Sequence, residues 1–370
     1  MNLAEYAHYD GLGLAGLVRS GQVSAFEPGQ FMLAAVEQIN PQIGAVIETY
    51  PERVAALEGS PAPDGAFAGV PFLLKDIGAG EAGKRQELGS RLTRGRIAAA
   101  DSFLTEQFRA AGLSILGRTA TPEFALSAST ESLLTGATRN PWDPQLSAGG
   151  SSGGAAASVA AGIVPIAHAS DSAGSIRIPS SACGLVGLKP SRGRVSSGPA
   201  AAESLAGMSQ EFVLCRTVRD AAAMLDAVAR PMPGDPFIIT QSPQPYLQLL
   251  AAPIGQLRIA WTARSWQPGT LVDPAAARCI EQVAQQCEAL GHIVIEDSPS
   301  FEYESFLRAI CIGWAFGFDV EIDELANDMG RAVGEHTLEP VTLAYYQYAR
   351  SLSAADVVWA ERVANQLRRS

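Results

Sequence analysis

Three short stretches carry residue types able to act together on one bond. Gly149-Gly150-Ser151-Ser152-Gly153-Gly154 and Asp171-Ser172-Ala173-Gly174-Ser175-Ile176-Arg177 set serines in turns of small residues. Upstream, Gly69-Val70-Pro71-Phe72-Leu73-Leu74-Lys75-Asp76 ends an apolar run on a lysine. Serine hydroxyls plus a lysine amine are the parts for nucleophilic acyl transfer, with lysine in place of histidine as the base. No rival chemistry stands out. The five cysteines are odd in number and lack a C-x-x-C pair, and the four histidines lack H-E-x-x-H spacing. Neither a zinc site nor a disulfide framework is expected, and no cofactor.

Each stretch alone also has a plainer reading. Ser175 is either an ordinary turn serine or a nucleophile, with Ala173 and Gly174 letting backbone N–H groups approach a substrate oxygen. Lys75 either snorkels from a strand end to water or lies buried, where desolvation lowers its pKa and frees the amine to take a proton. The glycine-rich run is not a phosphate cradle of the Walker type, because no lysine follows it. Nor is it a linker, because it opens into an alanine-rich helix. Glycine there permits the unusual backbone that would hold Ser151 rigidly. Asp76 points to the opposite strand face and is not the lysine's partner.

The elements that must position these residues follow from composition and periodicity. At 370 residues, 47% hydrophobic and 18% charged, the chain can bury a large core, and one elaborated domain over residues 1–370 is expected. A net charge of −11 argues against a nucleic-acid partner. The N-terminus lacks a basic region followed by an apolar stretch, and the run from Ala155 to Ala169 is too short to span a bilayer. A soluble, cytoplasmic protein with no membrane partner is expected. Helical spacing marks residues 1–60, with a stop at Asn40-Pro41, then a helix from Phe103 ended by Gly112 and another from Gly153 to Ala161. Strands are expected near Gly69–Leu74, Leu113–Gly117 and Ile163–Ala167. In the second half, Leu257–Trp261 and His292–Ile295 read as strands flanking a helix from Asp273-Pro274, and Ala354 to Arg369 as a last helix. Ser191 to Gly207 reads as a loop. This alternation implies an α/β fold with a sheet covered on both faces by helices.

Taken together, Lys75, Ser151 and Ser175 stand in the order and context of the amidase signature family, which the chain resembles. The resemblance is densest from Asn140-Pro141-Trp142-Asp143 through Gly184-Leu185-Val186-Gly187-Leu188-Lys189-Pro190 and extends to Gly112–Thr119 and to Cys279–Ile295. It implies a single large mixed sheet, with N-terminal helices over about 1–60, a signature core over about 65–200 and the rest of the sheet and cleft wall over about 205–370. It further implies Ser175 as nucleophile, Ser151 as a bridging serine on a cis peptide after Gly150, and Lys75 as base. The backbone N–H groups of Ser172, Ala173, Gly174 and Ser175 would hold the oxyanion, with Asp171, Arg177 and Ser152 as supports. Ala167-His168-Ala169-Ser170-Asp171-Ser172-Ala173-Gly174-Ser175 is similar to the 6-aminohexanoate cyclic-dimer hydrolase branch, and Glu339-Pro340-Val341-Thr342 fits it too. The expected activity is therefore hydrolysis of a carbon–nitrogen bond in a small linear or cyclic amide through an acyl-enzyme. The alternatives are an amidotransferase subunit releasing ammonia from glutamine, which would need a tRNA-handling partner, and a catalytically impaired amidase-like chain. Members of the family continue past the position of Ser370, so the fold is expected to lack its C-terminal segment. An exposed sheet edge would then favour homo-oligomers.

Overall fold

The structure is a computed structural model and describes residues 1–203 and 207–369; part of the expected Ser191–Gly207 loop lies outside them. Packing divides the chain into two compact units, one of Met1–Leu250 with Glu321–Ala344, the other of Ala251–Val320 with the residues from Tyr345 onward.

The first unit begins with helices Leu3–His8, Gly11–Arg19, Phe26–Ile43 and Pro51–Ala56. Helix Phe26–Ile43 runs past the expected stop at Asn40-Pro41 and ends at Gly44, whose φ of 58° is left-handed. Pro41 sits in the last turn, and Asn40 ties that turn to the next segment of chain: its Oδ1 accepts from the Ala45 and Val46 N–H groups, each at 2.8 Å. The first sheet holds β1 (Val46–Thr49), β2 (Pro71–Lys75) and β3 (Ser114–Thr119), in the order β1-β3-β2. β2 and β3 are parallel, with Lys75 opposite Thr119. β4 (Glu131–Ser132) and β5 (Gly136–Ala137) form a small antiparallel pair. The third sheet holds β6 (Ile166–Asp171), β7 (Val186–Gly187) and β8 (Gln210–Cys215), in the order β6-β8-β7. β6 begins three residues later than the sequence suggested, because Pro165 has no N–H to give to a ladder.

The single large sheet expected from the family resemblance is thus divided into separate small sheets. β2 and β6 pack side by side. Between them the Lys75 N–H donates to the side chain of His168, at 3.2 Å from Nδ1, so a ring nitrogen takes the place of a strand carbonyl.

The core of this unit explains why it can hold charged chemistry inside. Phe67, Val70, Phe72, Leu73, Ile166 and Phe212 are fully buried, as are Ala155, Ala156, Ala157 and Val159 of helix Gly153–Ala160. Burying each large apolar side chain contributes roughly 2 kcal/mol. The alanine-rich helix lies close to its neighbours: a Cβ at Gly154 would come within 2.5 Å of the Ala120 backbone.

The second unit contains β9 (Arg258–Trp261) and β10 (Ile293–Glu296), a parallel pair, with helices Pro274–Ala289, Tyr303–Ala315 and Ala354–Leu367. Asp273 caps the first of these, its Oδ1 accepting from Ala275 N–H at 2.7 Å. A small core gathers Ala309, Ile312 and Ala360, with Val357, Trp359 and Val363 packed against it. Among the described residues, no helix is long and apolar enough to cross a membrane.

Candidate active site

Lys75 closes β2, a strand buried along its whole length. Its side chain is 1% exposed, and its Nζ lies 2.7 Å from Ser151 Oγ and 2.9 Å from Ser170 Oγ. Burial pushes the amine pKa down to about 7, against the opposing pull of the Glu211 and Asp171 carboxylates. Half of the amine is therefore neutral near neutrality, which is what a proton acceptor requires.

Ser151 is also fully buried, and the Gly150–Ser151 peptide is cis. The turn is crowded. A Cβ on Gly150 would meet the Ser129 carbonyl at 2.7 Å, and one on Gly153 would meet Thr130 Oγ1 at 2.4 Å. Gly149 has a φ of +74°, so glycine is needed there for conformation as well. Thr130 organises the run: its hydroxyl lies 3.0 Å from the Gly149 carbonyl and accepts from Gly153 N–H at 3.0 Å.

Ser152 joins the two serine-bearing turns. Its N–H donates to the Ser175 carbonyl at 3.3 Å. Its hydroxyl donates to the Ser170 carbonyl at 3.2 Å and accepts from Ser170 N–H at 3.3 Å. Ser175 therefore stands beside the Ser151–Ser152 segment. Among the described residues its hydroxyl makes no hydrogen bond, so the link from Ser175 to Ser151 is not closed in this structure. Ser175 is half-buried, whereas Ser151 and Lys75 are not reached by solvent.

The turn leading to Ser175 is built around the buried Asp171. Its Oδ1 accepts from Gly174 N–H at 2.8 Å and Arg177 Nη2 at 2.9 Å; its Oδ2 accepts from Arg177 Nε at 2.9 Å and Ile176 N–H at 3.2 Å. Burial alone would raise the carboxyl pKa, but the Arg177 guanidinium and these N–H donors outweigh it and hold it below its ordinary value. This geometry corrects one expectation. The Gly174 N–H is committed to Asp171, so Gly174, with a φ of +123°, shapes the turn and is not an oxyanion donor. The N–H groups of Ser172, Ala173 and Ser175 make no hydrogen bond among the described residues and remain available.

Asp76 turns away from the lysine, as alternation requires. It pairs with the Arg118 guanidinium, which also reaches Glu48 at 2.7 Å and Glu87 at 3.1 Å. Asp76 Oδ1 also accepts from Glu87 N–H at 2.8 Å.

Three residues of the site were not anticipated: Ser170, His168 and Glu211. His168 accepts the Lys75 N–H on Nδ1, which places its ring proton on Nε2, 3.0 Å from Glu211 Oε2. Phe108 packs edge-on against the imidazole, with centroids 5.8 Å apart. The available signal was the alternation Ala167-His168-Ala169-Ser170, which sets His168 and Ser170 on one strand face. Glu211 comes to that face only through the β6–β8 register, where it stands opposite Ser170. It also borders a cavity of about 230 Å³ reached by Gly78, Gln86, Arg96 and Ser197, but not by Ser151 or Ser175. Among the described residues no cluster of three or more His, Cys, Asp or Glu side chains is arranged to hold a metal ion.

Comparison with known proteins identifies the family and the fold. The family described as Amidase matches residues 30–370. The chain is 39% identical over 335 residues to 6-aminohexanoate-cyclic-dimer hydrolase of Paenarthrobacter ureafaciens, covering 89% of this chain and 68% of that protein. A solved 6-aminohexanoate cyclic dimer hydrolase complexed with substrate superposes with a TM-score of 0.91 at 34% identity, covering 98% of this chain and 76% of the other. A bacterial aryl acylamidase of the amidase signature family superposes at 0.86 with 27% identity, over 96% and 75% of the two chains. The chain belongs to the amidase family and is a hydrolase of carbon–nitrogen bonds with the amidase signature fold.

Proposed function

We propose that this chain hydrolyses a linear or cyclic amide by acyl transfer through Ser175, Ser151 and Lys75. The observation that carries the reading is the solvent-excluded contact of 2.7 Å between a lysine amine of lowered pKa and the cis-peptide serine, next to a turn with unengaged N–H groups. Lys75 in its neutral form accepts the Ser151 proton as Ser151 accepts the Ser175 proton. The Ser175 oxygen bonds to the amide carbon, and the resulting oxyanion is held by the N–H groups of Ser172, Ala173 and Ser175. As the carbon–nitrogen bond breaks, the proton returns along the relay to the departing amine. Water, deprotonated by the same relay, then cleaves the ester. The Ser175–Ser151 link is expected to close in the substrate complex, since catalytic contacts commonly tighten when substrate binds.

The relatives favour one substrate class. A cyclic-dimer hydrolase and an acylamidase share this fold, so a small oligoamide or lactam of an ω-amino acid is the first candidate. Residues 1–370 act in this reading as one catalytic chain on a small molecule, using side chains and water. A mass-spectrometric screen of cyclic and linear amides with Ser175→Ala and Lys75→Ala is the test. Each variant should lose at least about 10⁴-fold in kcat. Full retention of hydrolysis by either one rejects the assignment. Labelling of Ser175 by a fluorophosphonate separates an organised site from an inactive one.

A further inference from the structure

We infer that Ser170 is a positioning residue: its hydroxyl holds the Lys75 amine so that the nitrogen lone pair faces Ser151. This rests on the proposed role of Lys75 and goes beyond it to a residue outside the three-membered relay. A neutral amine has two N–H donors and one lone pair. To act as base it must receive the Ser151 proton on that lone pair, which leaves its N–H groups in need of acceptors inside a buried site. An N–H without an acceptor there costs about 1–3 kcal/mol. Ser170 Oγ, 2.9 Å from Nζ, is the acceptor present. Without it the amine can rotate about its last bond and turn the lone pair away.

Two features keep Ser170 in that role. Its backbone is gripped on both sides by the Ser152 hydroxyl, at 3.2 Å on the carbonyl and 3.3 Å on the N–H. Ser151 and Ser152, adjacent in sequence, thus set the two partners of one amine, the first directly and the second through the Ser170 backbone. Glu211 stands directly opposite Ser170 in the β6–β8 ladder. Directly opposed side chains lie about 5 Å apart at Cβ. The carboxylate favours turning the Ser170 O–H proton toward β8, which leaves the oxygen lone pairs for Nζ.

The Ser170 hydroxyl, rather than an ionisable neighbour, fixes the sign of the pH effect. Around the amine, β8 contributes Glu211, and β6 contributes Asp171 and His168, whose Nδ1 is taken by the Lys75 N–H. Arg118 of β3 is engaged with Asp76, Glu48 and Glu87. The hydroxyl of Ser170 accepts more strongly from an ammonium than from an amine, so removing it favours the neutral form.

The test compares Ser170→Ala, Ser170→Cys and Ser170→Thr with the parent chain, using whichever amide the screen identifies, across pH 5 to 9. Ser170→Ala should lower kcat by about 10- to 100-fold with KM within about twofold, and move the rising limb of the pH–rate profile to lower pH. Ser170→Thr, which keeps an oxygen at the same place, should recover activity to within a few-fold. Ser170→Cys, close in size but a weak acceptor, should behave like alanine and serves if the alanine variant does not fold. Parent-like kcat and an unmoved limb in Ser170→Ala or Ser170→Cys overturn the inference, as does failure of Ser170→Thr to exceed them. If Lys75→Ala is inactive in the same assay while Ser170→Ala keeps parent-like kcat, only this inference fails. If Lys75→Ala is active, the parent reading fails first.

Discussion

β2 and β9 are short, apolar in sequence and parallel to their partners, yet they end in different environments. Every residue of β2 is buried, while β9 alternates between exposed and half-buried, and its partner β10 is mostly exposed. Parallel pairs are ordinarily covered on both faces. β2 is enclosed by β3 and β6 at its edges and by helices Phe26–Ile43 and Gly153–Ala160 packed against it. The contrast shows where an unusual lysine comes from. The residues preceding Lys75 do not lower its pKa; the layers packed over them do, by keeping water away from an amine that has two hydroxyls for company. An amine at the end of a strand such as β9 would stay solvated and charged.

The first way to break this contrast is to open β2. Phe72 is fully buried against Phe108, with ring centroids 4.7 Å apart. Phe72→Ala should cost about 4 kcal/mol in chemical denaturation, and in the folded variant amide hydrolysis should fall as water enters. A cost below about 1 kcal/mol would show that β2 is not packed as described. A second, smaller effect sharpens the electrostatic part. With the Lys75 pKa near 7, lowering pH from 7 to 5 protonates the amine and should reduce kcat/KM roughly 50- to 100-fold, and the rate should level off above about pH 8. A rate that is flat from pH 5 to 9, with chemistry shown to be limiting, removes Lys75 as the base. The smallest effect belongs to the second unit. Leu290 is 76% exposed, and Leu290→Ser should change stability by no more than about 0.5 kcal/mol. A loss comparable to that of Phe72→Ala would mean that this leucine is covered in solution, and light scattering of the same samples would report self-association as the cover.

How much could be read from the residues beforehand follows the same division. Lys75 and Ser151 stood out as a lysine closing an apolar run and a serine in a glycine run, while Asp171 and Arg177 came only from the family resemblance. Strands and helices were also largely visible, since Phe103–Ala110 and Gly153–Ala160 obey simple periodicity. The features that escaped depend on contacts between distant segments. Glu211 meets the site only through strand register, and nothing adjacent to it in sequence marks it. The helix end at Pro41 was misjudged for a local reason, because Asn40 bonds forward to Ala45 and Val46 and holds the last turn closed past the stop signal. Gly174 looked like an oxyanion donor, but the Asp171 carboxylate occupies its N–H. The break between β2 and β6 had no local sign either, and there the Lys75 N–H bonds the His168 imidazole instead of a strand carbonyl.

Arg118 has a consequence for anyone who would transplant this chemistry. The guanidinium binds carboxylates from β1, from the residue after Lys75 and from the segment at Glu87, so three stretches of chain share one counter-ion. A designer lifting the lysine-bearing strand into a new scaffold would strand Asp76 without its cation. The smallest portable cassette is the strand together with Glu48, Glu87 and the arginine that serves them all.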